Sequence, residues 1–260
     1  RDSTDSGYLK PFRMPANGSA PASEIINEFA RAVTSDVPGN RVYFERYIRR
    51  LEDTTLAVLD PNNPDASMTG FPELFSSVGV LDIRNPSVSA DGTKFVVDAL
   101  IRETNIRQVY YIDVNANTIT QLTNDNANYY TPAISQDGTM VLVAKEDPAN
   151  GTDLVLIDVA SQEQRPMTTD GNALIEGNPA WHQDNLQAVY TAHPQGQDNK
   201  NEIYLLRILP ESSANSLLIA TEFDETYPVF DPSSLFIAFA SDRGSGVYNI
   251  YIFDLSSLET

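Results

Sequence analysis

Asn85-Pro86-Ser87-Val88-Ser89-Ala90-Asp91-Gly92 decides the fold, because the same proline-led phrase returns at Pro132, Pro179 and Pro228. The intervals are 46, 47 and 49 residues, with an Asp five residues after each of the first three prolines and three after the fourth. A fixed period of this size marks repeated supersecondary units. Each phrase runs into an apolar stretch: Lys94-Phe95-Val96-Val97, Met140-Val141-Leu142-Val143, Gln187-Ala188-Val189-Tyr190 and Phe236-Ile237-Ala238-Phe239. A second apolar stretch follows and ends on Asp113, Asp158, Arg207 or Asp254.

A short polar-edged strand closes the first three units near residues 121–123, 165–168 and 218–221, and each then enters an acidic loop holding Asp125, Asp170 or Asp224. Asp-Gly between apolar runs is a hairpin signal, because glycine reaches positive φ without steric cost. The apolar runs are nearly continuous, so both faces of each sheet are expected to be covered by neighbouring sheets. Radially packed four-stranded blades meet that demand, and the fold class is all-β, a β-propeller. Arg41-Val42-Tyr43-Phe44-Glu45-Arg46-Tyr47 and Thr55-Leu56-Ala57-Val58-Leu59-Asp60 match the two central strands of an earlier, degenerate unit. That makes about five blades, the last without its outer strand.

Ahead of the propeller, assigned to 41–260, residues 1–22 read as a polar tether and 23–40 as a short amphipathic helix with a linker. Ser23 stands as an N-cap, Glu24 opens an acidic first turn, and apolar residues fall at 25, 26, 29, 30 and 33.

The phrase Pro-x-x-Ser-x-Asp-Gly, together with Ala240-Ser241-Asp242-Arg243-Gly244 leading into Asn249-Ile250-Tyr251, resembles the WD40-like (PD40) repeats of TolB-type propellers. The resemblance covers residues 81–260 and implies a ring of six or more blades, so that either an N-terminal strand completes the last blade or, the favoured expectation, the sequence is a piece of a longer protein. It implies a noncatalytic scaffold or protein-binding module of the bacterial periplasm or extracellular space, engaging a protein partner through its loop faces and channel. Similar repeats also occur beside the catalytic domains of S9-type peptidases and in the α subunit of hydrazine synthase-like proteins, whose phrase resembles Asp82-Ile83-Arg84-Asn85-Pro86-Ser87-Val88-Ser89. The alternative reading is therefore a propeller domain of a larger enzyme.

Composition narrows the partners. The net charge is −19 with only four lysines, which argues against nucleic acid and against anionic membrane surfaces. The absence of cysteine excludes disulfides and thiolate metal sites from these residues. No apolar run reaches the roughly 18 residues of a membrane span. The polar start Arg1-Asp2-Ser3-Thr4-Asp5-Ser6-Gly7 suits equally a disordered end or a flexible tether following a signal or lipoprotein cleavage site, and the TolB-type resemblance implies a periplasmic or extracellular location, lipid-anchored under the lipoprotein alternative.

No Gly-x-Ser-x-Gly elbow, His-Glu-x-x-His, P-loop or dinucleotide fingerprint occurs, so no catalytic residue is assigned. The only histidines, His182 and His193, lie either side of one expected strand without ligand spacing. Asp125, Asp170 and Asp224 occupy equivalent inter-blade loops, and convergent carboxylates of that kind can hold Ca²⁺ through oxygen ligands. The competing reading is that Asp supplies turn chemistry, as at Asp91, Asp137 and Asp184. Trp181, His182, Asp242 and Arg243 are the residues expected to meet a protein partner, with Asp242 and Arg243 also expected to hold their blade together.

Overall fold

A meander of antiparallel strands recurs at the sequence period, one to each repeat. The computed structural model describes residues 75, 78–146, 151–169, 174–196, 200–210, 212–244 and 246–256 in full, and the backbone alone of 12–13, 23–24, 30–36, 41–48, 53–59, 69–70, 147 and 257–258. The chain divides into two compact units, residues 1–121 and 122–260.

In the first unit, β1 (Phe12–Arg13) pairs with β2 (Ser23–Glu24). Two four-stranded antiparallel meanders follow. Blade 1 is β3 (Ala30–Asp36), β4 (Arg41–Ile48), β5 (Asp53–Leu59) and β6 (Thr69–Gly70), and blade 2 is β7 (Val80–Val88), β8 (Lys94–Ile101), β9 (Arg107–Asp113) and β10 (Thr118–Gln121). In the second unit, blade 3 is β11 (Tyr129–Ile134), β12 (Met140–Asp147), β13 (Gly151–Asp158) and β14 (Gln164–Pro166), and blade 4 is β15 (Leu174–Trp181), β16 (Gln187–Pro194), β17 (Glu202–Ile208) and β18 (Ser213–Ile219). Among the described residues blade 5 has three strands, β19 (Glu225–Phe230), β20 (Phe236–Ser241) and β21 (Asn249–Asp254), followed by a 3-10 turn over Leu255–Leu258. The all-β architecture and its short last blade are those expected from the repeat.

The helix expected over residues 23–33 does not form as such. Its first two residues lie in β2, its last four begin β3, and 25–29 fall outside the described residues. An isolated helix of that length is marginal in water. The same residues instead give blade 1 its first strand, with Ser35 opposite Val42 and Asp36 opposite Arg41. A bulge between Ala30 and Val33 breaks the two-residue alternation and leaves apolar spacings that mimic a helix.

The prolines sit at the same kind of bulge. Each first strand begins well before its proline, at Val80, Tyr129, Leu174 and Glu225, so the phrase marks the middle of a strand and not its start. Register shifts span Arg84/Ser87, Tyr130/Ala133, Gly177/Ala180 and Thr226/Val229. The residue before each proline has positive φ: Asn85 at 50°, Thr131 at 51°, Asn178 at 49° and Tyr227 at 52°. Proline removes a donor where the ladder is already broken, so the bulge tolerates it. The first strands are also where blades converge, β3 beside β7 in the first unit, and β11 beside β15 and β15 beside β19 in the second.

The turn that follows has one hydrogen-bond plan in blades 2 and 3. Ser89 donates to Asp91 at 2.6 Å and accepts from the Lys94 amide at 3.1 Å, while Asp91 also accepts from the Thr93 amide at 3.0 Å. Ser135, Asp137, Thr139 and Met140 repeat it at 2.6, 3.0 and 3.0 Å. Blade 5 reaches the same end with its Asp two places earlier. Asp231 takes the amides of Ser233, Leu235 and Phe236 at 3.0, 2.8 and 2.8 Å. The shifted Asp spacing in the fourth phrase is thus a substitution of one turn acceptor for another.

The core of the first unit gathers Phe75, Val80, Ile83, Phe95, Val97, Ala99, Tyr110 and Ile112. In the second, one cluster joins Leu142, Leu154 and Leu156 of blade 3 to Trp181, Ala188 and Tyr190 of blade 4. Another joins Val189, Ile203 and Ile219 of blade 4 to Ile237 and Phe239 of blade 5. Among the described residues no helix is long and apolar enough to cross a membrane.

Candidate functional site

The acidic inter-blade loops hold the first candidates. Asp125, between β10 and β11, accepts the Tyr129 hydroxyl at 2.9 Å, the Lys145 ammonium at 2.7 Å and the Ala127 amide at 3.1 Å. Burial pushes its carboxyl up, but the Lys145 bond and the two other donors outweigh that and hold it low. Asp224, before β19, accepts both the amide and the side-chain Nδ2 of Asn201, at 2.7 and 2.8 Å, and also the Tyr248 hydroxyl. The carboxylate beside it pushes the Tyr248 phenol up to about 12. Asp170 lies outside the described residues.

The two described loops are equivalent in the repeat but not in chemistry. Each carboxylate is spent on donors of its own unit, one of them a lysine that supplies the positive charge a cation would bring. Among the described residues no three His, Cys, Asp or Glu side chains gather as a metal site.

Trp181, expected at a partner surface, is an interior residue with 5% exposure. Its indole N–H donates to the Ala133 carbonyl of blade 3 at 2.9 Å, so the side chain bolts blade 4 to blade 3. His182 stands where blades 2 and 3 have the turn serine. Its Nδ1 lies 2.9 Å from the Asp184 carboxylate, and its ring meets Phe230 of blade 5 edge-on at 5.0 Å. His193 faces the Asn201 side chain at 3.0 Å.

Asp242 and Arg243 organise blade 5. Asp242 accepts the Asp224 amide at 3.0 Å. Arg243 reaches the wholly buried Glu225 at 2.6 Å, donates to Ser241 at 3.0 Å and lies over the Tyr251 ring at 4.5 Å. Thr221 donates to the same Glu225 oxygen. The guanidinium is held flat between a buried carboxylate and an aromatic face, a structural use of arginine.

What sequence reasoning missed is the other face of this blade. Tyr251 and Phe253 pack inward with Phe230, Ile237 and Phe239 against blade 4. Ile250 and Ile252 alternate with them and point outward, 73% and 72% exposed, beside Val229 at 51%. Tyr227, in its strained backbone conformation, and Tyr248 are more than half exposed at the same blade. The signal was present in Asn249-Ile250-Tyr251-Ile252-Phe253, where both alternation phases are apolar. A sheet with two apolar faces and one neighbour among the described residues leaves its other face uncovered there.

No family model matches the sequence, and no curated protein matches it. Solved structures do. Crystalline TolB from Acinetobacter baumannii is similar at 13% identity with a TM-score of 0.72, over 94% of this chain and 56% of that one. The putative TolB from Agrobacterium tumefaciens is similar at 15% identity with a TM-score of 0.68, over 88% of this chain and 78% of that one. Hydrazine synthase from Kuenenia stuttgartiensis is similar at 14% identity with a TM-score of 0.58, over 85% and 62%. The chain thus spans little more than half the length of the Acinetobacter protein. Blades of four antiparallel strands, a bulged first strand in each, and these likenesses together assign the chain the TolB-like β-propeller fold.

Proposed function

We propose that this chain is a noncatalytic, protein-binding propeller of the bacterial cell envelope or extracellular space. The observation that carries the reading is the TolB-like blade architecture, and in this 260-residue chain Val229, Ile250 and Ile252 are exposed together on blade 5. Surface of this composition lowers its free energy when covered, by roughly 25 cal/mol for each Å² removed from water. The likeness to TolB supports a binding role, and the acidic balance favours a basic protein partner over nucleic acid.

The reading is tested by placing a photoreactive phenylalanine analogue at Ile252 and irradiating the protein in an envelope extract. A discrete protein adduct is expected, absent when the same group stands at Leu186 in blade 4. Equal labelling at both positions, or none at either, defeats the proposal.

A further inference from the structure

Beyond the protein-binding reading and independent of it, we propose that Arg84 anchors a carboxylate-binding site on the first strand of blade 2. This is the blade in which charge interrupts the repeat. Arg84, two residues before its proline, stands opposite Asp98. The same two positions hold Tyr130 and Ala144 in blade 3, Gly177 and Thr191 in blade 4, and Thr226 and Ala240 in blade 5. β7 also has a second register shift, between Leu81 and Arg84, where β11, β15 and β19 have one each. Asp82 lies inside it with a φ of 45°. An extra bulge re-aims the side chains it carries, and a non-glycine strand residue held in the left-handed region marks a place where function has overridden regular pairing.

A buried network fixes these side chains. Asp98 is wholly buried and accepts the Arg107 guanidinium at 2.6 Å and the Asn85 side-chain amide at 2.7 Å. Arg107, itself buried in β9, reaches across the blade to β7, donating to the Asp82 carboxylate at 2.5 Å and to the Asp82 carbonyl at 2.9 Å. Buried ion pairs are a weak source of stability compared with apolar residues of similar volume. Here the consequence is geometric, because the Asp82 carboxylate is held in one place and Arg84 is held by it.

Arg84 meets Asp82 side-on, through Nε at 2.9 Å and Nη2 at 2.6 Å. A guanidinium carries five N–H donors in a planar fork, and this pairing engages two of them. The end-on edge, formed by Nη1 and the outer N–H of Nη2, has no partner among the described residues, and the side chain is 39% exposed. That edge matches a second carboxylate in bidentate geometry. With the fork already oriented by Asp82, little side-chain freedom remains to be lost when a ligand arrives.

Charge selects the ligand. Asp82 and Asp98 balance Arg84 and Arg107, so the cluster is neutral with a guanidinium edge outermost. Of the chain's 17 lysines and arginines, 12 precede residue 122, so an anion is repelled less by the first unit than by the second. The net charge of −19 opposes a dianion such as phosphate twice as strongly as a single carboxylate. The ligand is therefore a monocarboxylate, borne by a small acid or by the end of a peptide.

The test uses the whole 260-residue chain and two probes at constant ionic strength. One is acetate, replacing chloride; the other is an N-acetylated tetrapeptide of Gly, Ser and Ala with a free C-terminal carboxylate, compared with its C-terminal amide. The guanidinium NMR signals of Arg84, assigned by their loss in Arg84→Lys, are expected to shift saturably with a carboxylate probe, while those of the exposed Arg102 stay in place. Arg84→Lys keeps the charge without the bidentate edge and is expected to weaken binding at least about tenfold, whereas Arg102→Gln leaves it within about twofold.

Saturable binding of either probe at Arg84 supports the site. A peptide at least about tenfold tighter than acetate assigns the end of a peptide, and any smaller difference assigns a small acid. The proposal is overturned by signals of Arg84 that stay in place with both probes, by shifts that never saturate, by an amidated peptide that binds as well as the acid, or by an equal loss in Arg102→Gln.

Discussion

Ile203 and Ile250 hold the same place in successive blades, each on a third strand and each opposite the second-strand residue before the bulge register, yet Ile203 is fully buried and Ile250 is 73% exposed. The difference is the neighbour: Ile203 has blade 5 against it, with Ile237 and Phe239 in the same cluster. Ile203→Ala should lower stability by about 2–5 kcal/mol, through lost burial and the cavity left behind. Ile250→Ala should stay within about 0.5 kcal/mol. Urea midpoints for the two variants check this, and equal losses would mean that Ile250 is covered in solution.

Trp181 joins blade 4 to blade 3 by packing and by one hydrogen bond. Trp181→Phe keeps most of the apolar contact but leaves the Ala133 carbonyl without its indole donor, at a cost of about 1–3 kcal/mol. Trp181→Ala should cost about 3–5 kcal/mol. As the chain's one tryptophan, its fluorescence reports this interface directly in the parent protein, and circular dichroism follows the variants.

Asp91 gives the turn of blade 2 a pH dependence. The Ser89 hydroxyl, with the Thr93 amide and hydroxyl, outweighs burial and holds its carboxyl at about 2. The folded value lies below the unfolded one of about 3.9, so the stabilisation is complete above pH 4 or so and is lost as pH falls toward 2. The stability difference between the parent and Asp91→Asn should be constant from about pH 5 to 7 and shrink through that acid window. Denaturation series at several pH values measure it, and a difference independent of pH would refute the role of the charge.

Arg243→Met should cost about 3–5 kcal/mol, because it leaves the Glu225 carboxylate buried without its cation. Adding Glu225→Gln should recover a large part of the loss. A double variant no more stable than the single one would show that Arg243 acts by stacking on Tyr251 and not by pairing.

Much of the fold was legible because it rests on local rules repeated at a fixed interval. Turn acceptors such as Ser89 and Asp91 act within five residues, so their spacing survives in the sequence. The first strand of blade 1 was not legible. Its bulge erased the alternation, and only pairing with β4 chose strand over helix for Ala30–Val33. The site was less legible still. Asp125 and Asp224 look alike in the repeat, but Lys145 reaches one from 20 residues away and Asn201 the other from 23. Nothing in the spacing announces which donor a loop will meet.

By itself, then, the sequence determined the repeating blade and its strand order, because apolar runs and turn residues encode structure over a few residues and the repeat multiplies the signal. Only the tertiary structure decided that Trp181 is an internal bolt, that Arg243 braces a buried carboxylate, and that Ile250 is bare where Ile203 is covered. Burial depends on which blade arrives on which face, a long-range outcome that identical local patterns cannot distinguish.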